Sequence, residues 1–180
     1  MRNHFLAATL LLALSLTGGC SGGAPEQGAQ PPREKSAQSP APTKANQSEQ
    51  VKAVVNRYNQ LLIEGYRSLN MNPLAEVATV KLAEQAYHHM AAIGEGQSKM
   101  LAKLKQTDYL GVEFPQPDAA LVKTHEVWDY DYVHVKTGKL QESAQDVYDV
   151  TYELKLQKDG RWQLVAINAV GKTPQKDRKK

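Results

Sequence analysis

The stretch VYDVTYELKLQKDGRWQLVAINAV (147–170) decides how the chain is read. Residues 147–157 have the composition of a β-strand, rich in Val, Tyr and Thr. Asp159-Gly160 is a hairpin signal, because glycine accepts the positive φ of a tight turn. Residues 161–170 then return as a closing strand. Working back toward the N-terminus, Lys136-Thr137-Gly138-Lys139 is a second turn, preceded by a long strand over 120–134. Before it, Leu110-Gly111-Val112-Glu113-Phe114 reads as extended and stops at Pro115. Met100, Ala102 and Leu104 alternate with Leu101, Lys103 and Lys105, so the period is already two just after Gly96.

Upstream of Gly96 the period is that of a helix. Ser48 is a candidate cap, with Glu49 in the first turn. Val51, Val54, Val55, Tyr58, Leu62, Gly65, Tyr66 and Leu69 then recur mostly at spacings of three and four. Asn70-Met71-Asn72-Pro73 ends this helix, and Asn72-Pro73 opens a short one through about Ala78. A further helix uses Val80, Leu82, Ala86, Met90 and Ile93, with Gly94 and Gly96 as candidates for a left-handed stop. Helices first and a meander of about four antiparallel strands afterwards define an α+β domain over 48–171, its helices on one face of a curved sheet.

The 180 residues carry a single cysteine, which excludes a disulfide framework and a multi-cysteine metal site. Residues 48–171 hold 13 basic and 16 acidic residues, a net charge of −3. That balance disfavours nucleic acid as a partner. The positive charge lies in the tails, above all in 172–180, where Lys172, Lys176, Arg178, Lys179 and Lys180 outnumber Asp177. This tail is expected to be solvated. Residues 21–47 are dominated by Gln, Pro, Ala, Ser and Lys, lack large apolar residues and cannot form a core. They read as a tether of roughly 30 Å r.m.s. span.

The first nineteen residues read as a signal peptide: Arg2 supplies a positive start, the apolar run 5–16 is too short to span a bilayer, and small residues follow. Thr17-Gly18-Gly19-Cys20 resembles the lipobox of bacterial lipoproteins, with Thr17 where Leu is usual and Leu16 one step early. The resemblance implies cleavage between Gly19 and Cys20, diacylglycerol on the Cys20 sulfur and an acyl chain on its new amino group. It implies a membrane partner through that lipid, and Ser21 resembles outer-membrane sorting in hosts with two membranes.

The order of elements, and the closing stretch with Lys158-Asp159-Gly160-Arg161-Trp162, resemble the nuclear-transport-factor-2-like superfamily, a cone of helices on a bent sheet. Within it the domain looks most like the intermembrane-space type known from plastid division proteins and from bacterial proteins. The resemblance implies a module that acts through protein contacts, with a homodimer through the sheet as one arrangement.

Enzymes that resemble this superfamily place an acid or base and its partners inside the cone. On the 120–134 strand, Val122, Thr124, Glu126, Trp128, Tyr130 and Tyr132 share one face, which is aromatic and is expected to turn inward. Leu121, Lys123, His125, Val127, Asp129 and Asp131 share the other, expected to be polar and solvated. Glu126 would then sit among aromatics, where desolvation penalises its charged form, the setting of a general acid or base. Tyr58 and Tyr66 on the first helix would face it. Ordinary packing, or pairing of Glu126 with Arg57, Arg67 or a Lys, is the competing reading. The adjacent His88 and His89 point about 100° apart on a helix and do not make a metal site. No Ser-His-Asp elbow, glycine-rich phosphate loop or redox cysteine pair occurs, and no cofactor is implied.

The sequence thus predicts an envelope-anchored module that binds an envelope protein or polymer without catalysis. The alternative is a small-molecule binding protein or enzyme whose cone is lined by Tyr58, Tyr66, Glu126, Trp128, Tyr130 and Tyr132.

Overall fold

A computed structural model describes residues 43–172. The signal segment 1–19, Cys20, the tether up to residue 42 and the basic tail beyond Lys172 lie outside the described residues. The chain runs from helix α1 (Lys44–Ser68) through a 3-10 turn (Asn72–Glu76) to helix α2 (Val80–Glu95). Four strands follow: β1 (Ser98–Gln116), β2 (Ala119–His134), β3 (Leu140–Leu156) and β4 (Trp162–Lys172). They form one antiparallel meander in the order β1-β2-β3-β4.

Helix α1 begins four residues before the expected Ser48. Thr43 is the cap, its Oγ1 accepting the Asn46 N–H at 3.4 Å. Ser48 instead donates its hydroxyl to the Lys44 carbonyl one turn back, at 3.0 Å. Lys44–Gln47, read above as the end of the tether, therefore form the first turn. The helix ends at Leu69, which takes a left-handed φ of 59°. Beyond it Asn70 Oδ1 accepts the Asn72 N–H at 3.1 Å, and the turn that Pro73 opens closes at Glu76 rather than Ala78. At the end of α2 the left-handed residue is Gln97 (φ 57°), not a glycine; Gly96 has φ −78°.

The strands are longer than the sequence indicated. β1 does not stop at Pro115 but pairs up to Gln116. An edge strand tolerates proline because its outward N–H has no ladder partner to lose, and β1 is an edge. Pairing of β3 begins at Leu140, opposite Val133, well before residue 147. Shifts of register at Leu104/Gln106, Tyr109/Gly111 and Glu113/Gln116 place irregularities in β1, which bend the sheet and sharpen its twist. The Gly160 turn (φ 82°) is closed by Gln157 N–H to Arg161 O at 2.8 Å.

Val51 and Val55 of α1 and Leu74 of the 3-10 turn meet Val122, Leu154 and Leu164 of the concave sheet face; all are at most 1% exposed. The 77–79 segment is stitched to β4 by Thr79 N–H to Leu164 O (2.9 Å) and Leu164 N–H to Val77 O (2.8 Å). This covers part of an edge that would otherwise present unpaired backbone. The convex face is polar: Lys105 pairs with Asp129 (3.2 Å), Lys123 with Glu113 (2.7 Å) and His125 with Asp149 (2.7 Å).

Gly65 is buried in α1 where the chain doubles back. A Cβ there would lie 2.5 Å from the sulfur of Met71 and 3.2 Å from the Asn70 carbonyl. Alanine improves helix propensity by about 1 kcal/mol, but overpacking of a tight site costs about 1–3 kcal/mol. Gly65→Ala is expected to lower the urea midpoint; a rise would show that this corner is loosely packed.

Candidate functional site

The bent sheet and the two helices do not fill the space between them. A cavity of about 340 Å³ remains over the concave face. Tyr58 and Tyr66 reach it from α1, and Glu126, Trp128, Tyr130 and Tyr132 from β2. The alternation of β2 puts the four on one side of the sheet, and α1 brings the two tyrosines over them. Tyr148 and Tyr152 of β3 line it too, with Asp146, Asn59 and His89. Four other hollows are larger, from about 380 Å³ to about 440 Å³ beside Trp162 and about 500 Å³ around Asp129 and Asp131. None of the four is lined by a buried ionisable group.

Glu126 is 1% exposed. Its Oε1 accepts from Thr124 Oγ1 (2.8 Å), from the Tyr152 hydroxyl (2.8 Å) and from Asn59 Nδ2 (3.4 Å). Its Oε2 accepts from Trp128 Nε1 at 2.9 Å. The partners span α1, β2 and β3, and none carries a formal positive charge. The arginines named as alternatives lie elsewhere: Arg57 grips Glu76 with two bonds of 2.9 and 2.8 Å, and Arg67 pairs with Glu64. That fork holds the Glu76 carboxyl below its ordinary range. Thr124, buried beside Glu126, was legible from the β2 alternation. Tyr152 and Tyr148 lay in the closing strand without any sign of what they would meet. Asn59 carried a faint signal, being a polar residue four positions after Val55 on the apolar stripe of α1.

The remaining polar atoms are also engaged. The Tyr66 hydroxyl is 2.5 Å from His89 Nδ1, with the rings edge to face. Tyr148 donates to Asp146 Oδ2 at 3.1 Å. The Trp128 and Tyr130 rings run parallel within 2°, their centroids 6.1 Å apart. His88 makes an edge contact with the Tyr87 ring. Among the described residues, no group of three or more His, Cys, Asp or Glu is placed to hold a metal ion.

Burial raises the tyrosines. It pushes Tyr58 from an ordinary 10.0 to about 12. Tyr66 and Tyr130 rise further, burial again leading, with neighbouring tyrosines next. Tyr152 is raised by burial and then by the negative charge of Glu126. These phenols are therefore neutral donors at physiological pH. Glu126 lies in the cavity wall with both oxygens occupied, and moving a proton to a substrate would require breaking that web.

Glu126→Gln keeps the shape but turns one acceptor into a donor, facing either the Trp128 N–H or the cluster on Oε1. A buried donor left unsatisfied costs about 1–3 kcal/mol, so this variant should unfold at lower urea; unchanged stability would remove the web as a structural element. The tyrosine shifts also have a sign. A phenol raised on folding favours the folded state, fully so below the unfolded value of 10.0, and this is lost as pH rises through the folded value. For Tyr58 and Tyr109 that window runs from 10.0 to about 12. Tyrosinate absorbance of the folded protein should lag that of the urea-unfolded chain across it; coincident curves would contradict the burial.

No family model matches the sequence, and no curated protein matches it. Among solved structures, the intermembrane space region of the chloroplast protein ARC6 aligns with a TM-score of 0.59 at 13% identity, over 69% of this chain and 96% of that one. A periplasmic fragment of TraM aligns with a TM-score of 0.49 at 10% identity, over 69% of this chain and 98% of that one. A nuclear-transport-factor-2-like superfamily protein from Salmonella enterica subsp. enterica serovar Typhimurium str. LT2 aligns with 0.49 at 12% identity, over 77% and 99%. At these identities the likeness is one of fold. The domain shares its α+β fold, two helices packed on a four-stranded antiparallel sheet, with the ARC6 intermembrane space region.

Proposed function

We propose that this protein is a lipid-anchored protein of the bacterial cell envelope whose α+β domain is a non-catalytic module binding an envelope protein or polymer. The observation that carries the non-catalytic part is the engagement of both oxygens of Glu126 by the fold itself. Glu126, the one acidic side chain buried among the described residues, has its two oxygens held by four donors from three elements. A general acid or base needs a lone pair or proton directed at substrate. Here those positions serve the fold.

Anchoring follows from the sequence. Lipid on Cys20 holds the chain to the membrane, each buried methylene contributing about 0.8 kcal/mol, with several chains making the attachment stable. The tether after Cys20 lets the domain stand off the bilayer. The fold shared with an intermembrane space region agrees with a domain working between membranes. In a host with two membranes, Ser21 directs it to the outer one, facing the periplasm. The polar, ion-paired convex face suits a wet, reversible contact, including one with a second copy, better than an obligate apolar interface.

The anchor is tested by fractionating cells that express the full chain beside Cys20→Ser. The unsubstituted protein is expected in the membrane fraction with acyl mass on an N-terminal Cys20, and the variant unacylated and uncleaved before residue 20. A variant still cleaved there, or an unsubstituted protein without acyl mass, would overturn it. Cross-linking in the same cells tests the module, which predicts a defined adduct that depends on the anchor.

A further inference from the structure

We infer that the cavity over the concave sheet face is a binding site for a quaternary ammonium group. This goes beyond the tethered-module reading and does not depend on it. Aromatic rings dominate the walls, with Tyr66, Trp128, Tyr130, Tyr132 and Tyr148 all facing the space. The faces of such rings are negative and attract a cation, Trp most strongly. The Trp128 and Tyr130 rings, parallel within 2°, extend one such wall along β2.

Charge points the same way. The lining contains two carboxylates, Asp146 and Glu126, and no Lys or Arg. Its only basic side chain is His89, whose Nδ1 is occupied by the Tyr66 hydroxyl. The donors around Glu126 are neutral and bring no positive charge to the site. Asp146 sits across the β2–β3 ladder from Trp128 and accepts from Tyr148. An anion would meet two acidic side chains and no Lys or Arg here. A neutral apolar ligand would leave Asp146 covered without compensation.

The hydrogen bonds decide between kinds of cation. No buried side-chain nitrogen or oxygen among the described residues lacks a partner. A primary ammonium carries three N–H groups that each need an acceptor, and the Tyr66 and Tyr148 hydroxyls and Asp146 Oδ2 are already engaged in the Tyr66–His89 and Tyr148–Asp146 bonds. A fully methylated nitrogen has no N–H to satisfy. It needs ring faces and a negative field, which are what the cavity presents. At about 340 Å³ the space lies at the small end of ligand sites, with room for such a head group and a short substituent.

The test is titration calorimetry on the full-length protein in detergent micelles that lack a quaternary ammonium. The probes are choline and its neutral isostere 3,3-dimethylbutan-1-ol. Choline is expected to bind saturably and the isostere about tenfold more weakly. Asp146→Asn, which preserves shape, and Tyr130→Leu are each expected to weaken choline severalfold. Thermal melts check that both variants remain folded, and Asp146→Asn suffices if Tyr130→Leu does not fold. Equal binding of probe and isostere would overturn the inference, as would absence of saturable choline binding or choline binding unaffected by Asp146→Asn. Competition by phosphatidylcholine vesicles, but not by phosphatidylglycerol vesicles, would identify a lipid head group as the source; without it the ligand is a free solute.

Discussion

A carboxylate held at 1% exposure among aromatic rings must be solvated by the protein itself, and most of this domain's geometry meets that demand. Among the described residues the hydrogen-bond partners of Glu126 are all neutral, so dipoles do the work. Thr124 and Trp128 flank it at two-residue spacing on the same strand, Tyr152 reaches across from β3, and Asn59 comes down from α1. Such a node is demanding, because each member removed leaves a buried polar group without a partner. It ties helix to sheet at one point and sets how closely α1 can approach the concave face. The apolar contacts of Val51, Val55 and Leu74 with Val122, Leu154 and Leu164 then close the domain on one side of it.

On the other side the domain stays open, for a reason found in β1. Three register shifts bend a strand of 19 residues, and the strands paired to it follow the curve. Helices resting on a curved sheet touch it along part of its length only. The residues that would meet in a flat sandwich are held apart, and large rings line the gap. Their hydroxyls could not remain unpaired in such a space, so they pair with one another's neighbours: Tyr66 with His89, Tyr148 with Asp146. The outcome is a cavity with aromatic faces, satisfied edges and an excess of negative charge. Its walls are set before any ligand arrives, which favours binding because little ordering is left to do.

Local rules in the sequence were enough for the element types and their order. The 3.6-residue period of 51–69 and the two-residue period of 120–134 need no distant partner, and the Gly160 turn is written in its own residues. The same locality put Thr124, Glu126 and Trp128 on one face of β2. Boundaries were less legible, because ends depend on neighbours. Thr43 caps α1 where Ser48 had looked sufficient, Gln97 rather than a glycine takes the left-handed turn, and Pro115 stays in β1 because that strand is an edge. What Glu126 would meet was beyond any local rule. Asn59 is 67 positions away in the chain and Tyr152 is 26. A buried carboxyl beside a cation, a base at a cone mouth and a node of neutral donors are written with the same strand. The curvature of the sheet and the path of α1 chose among them, since both arise from contacts distant in sequence.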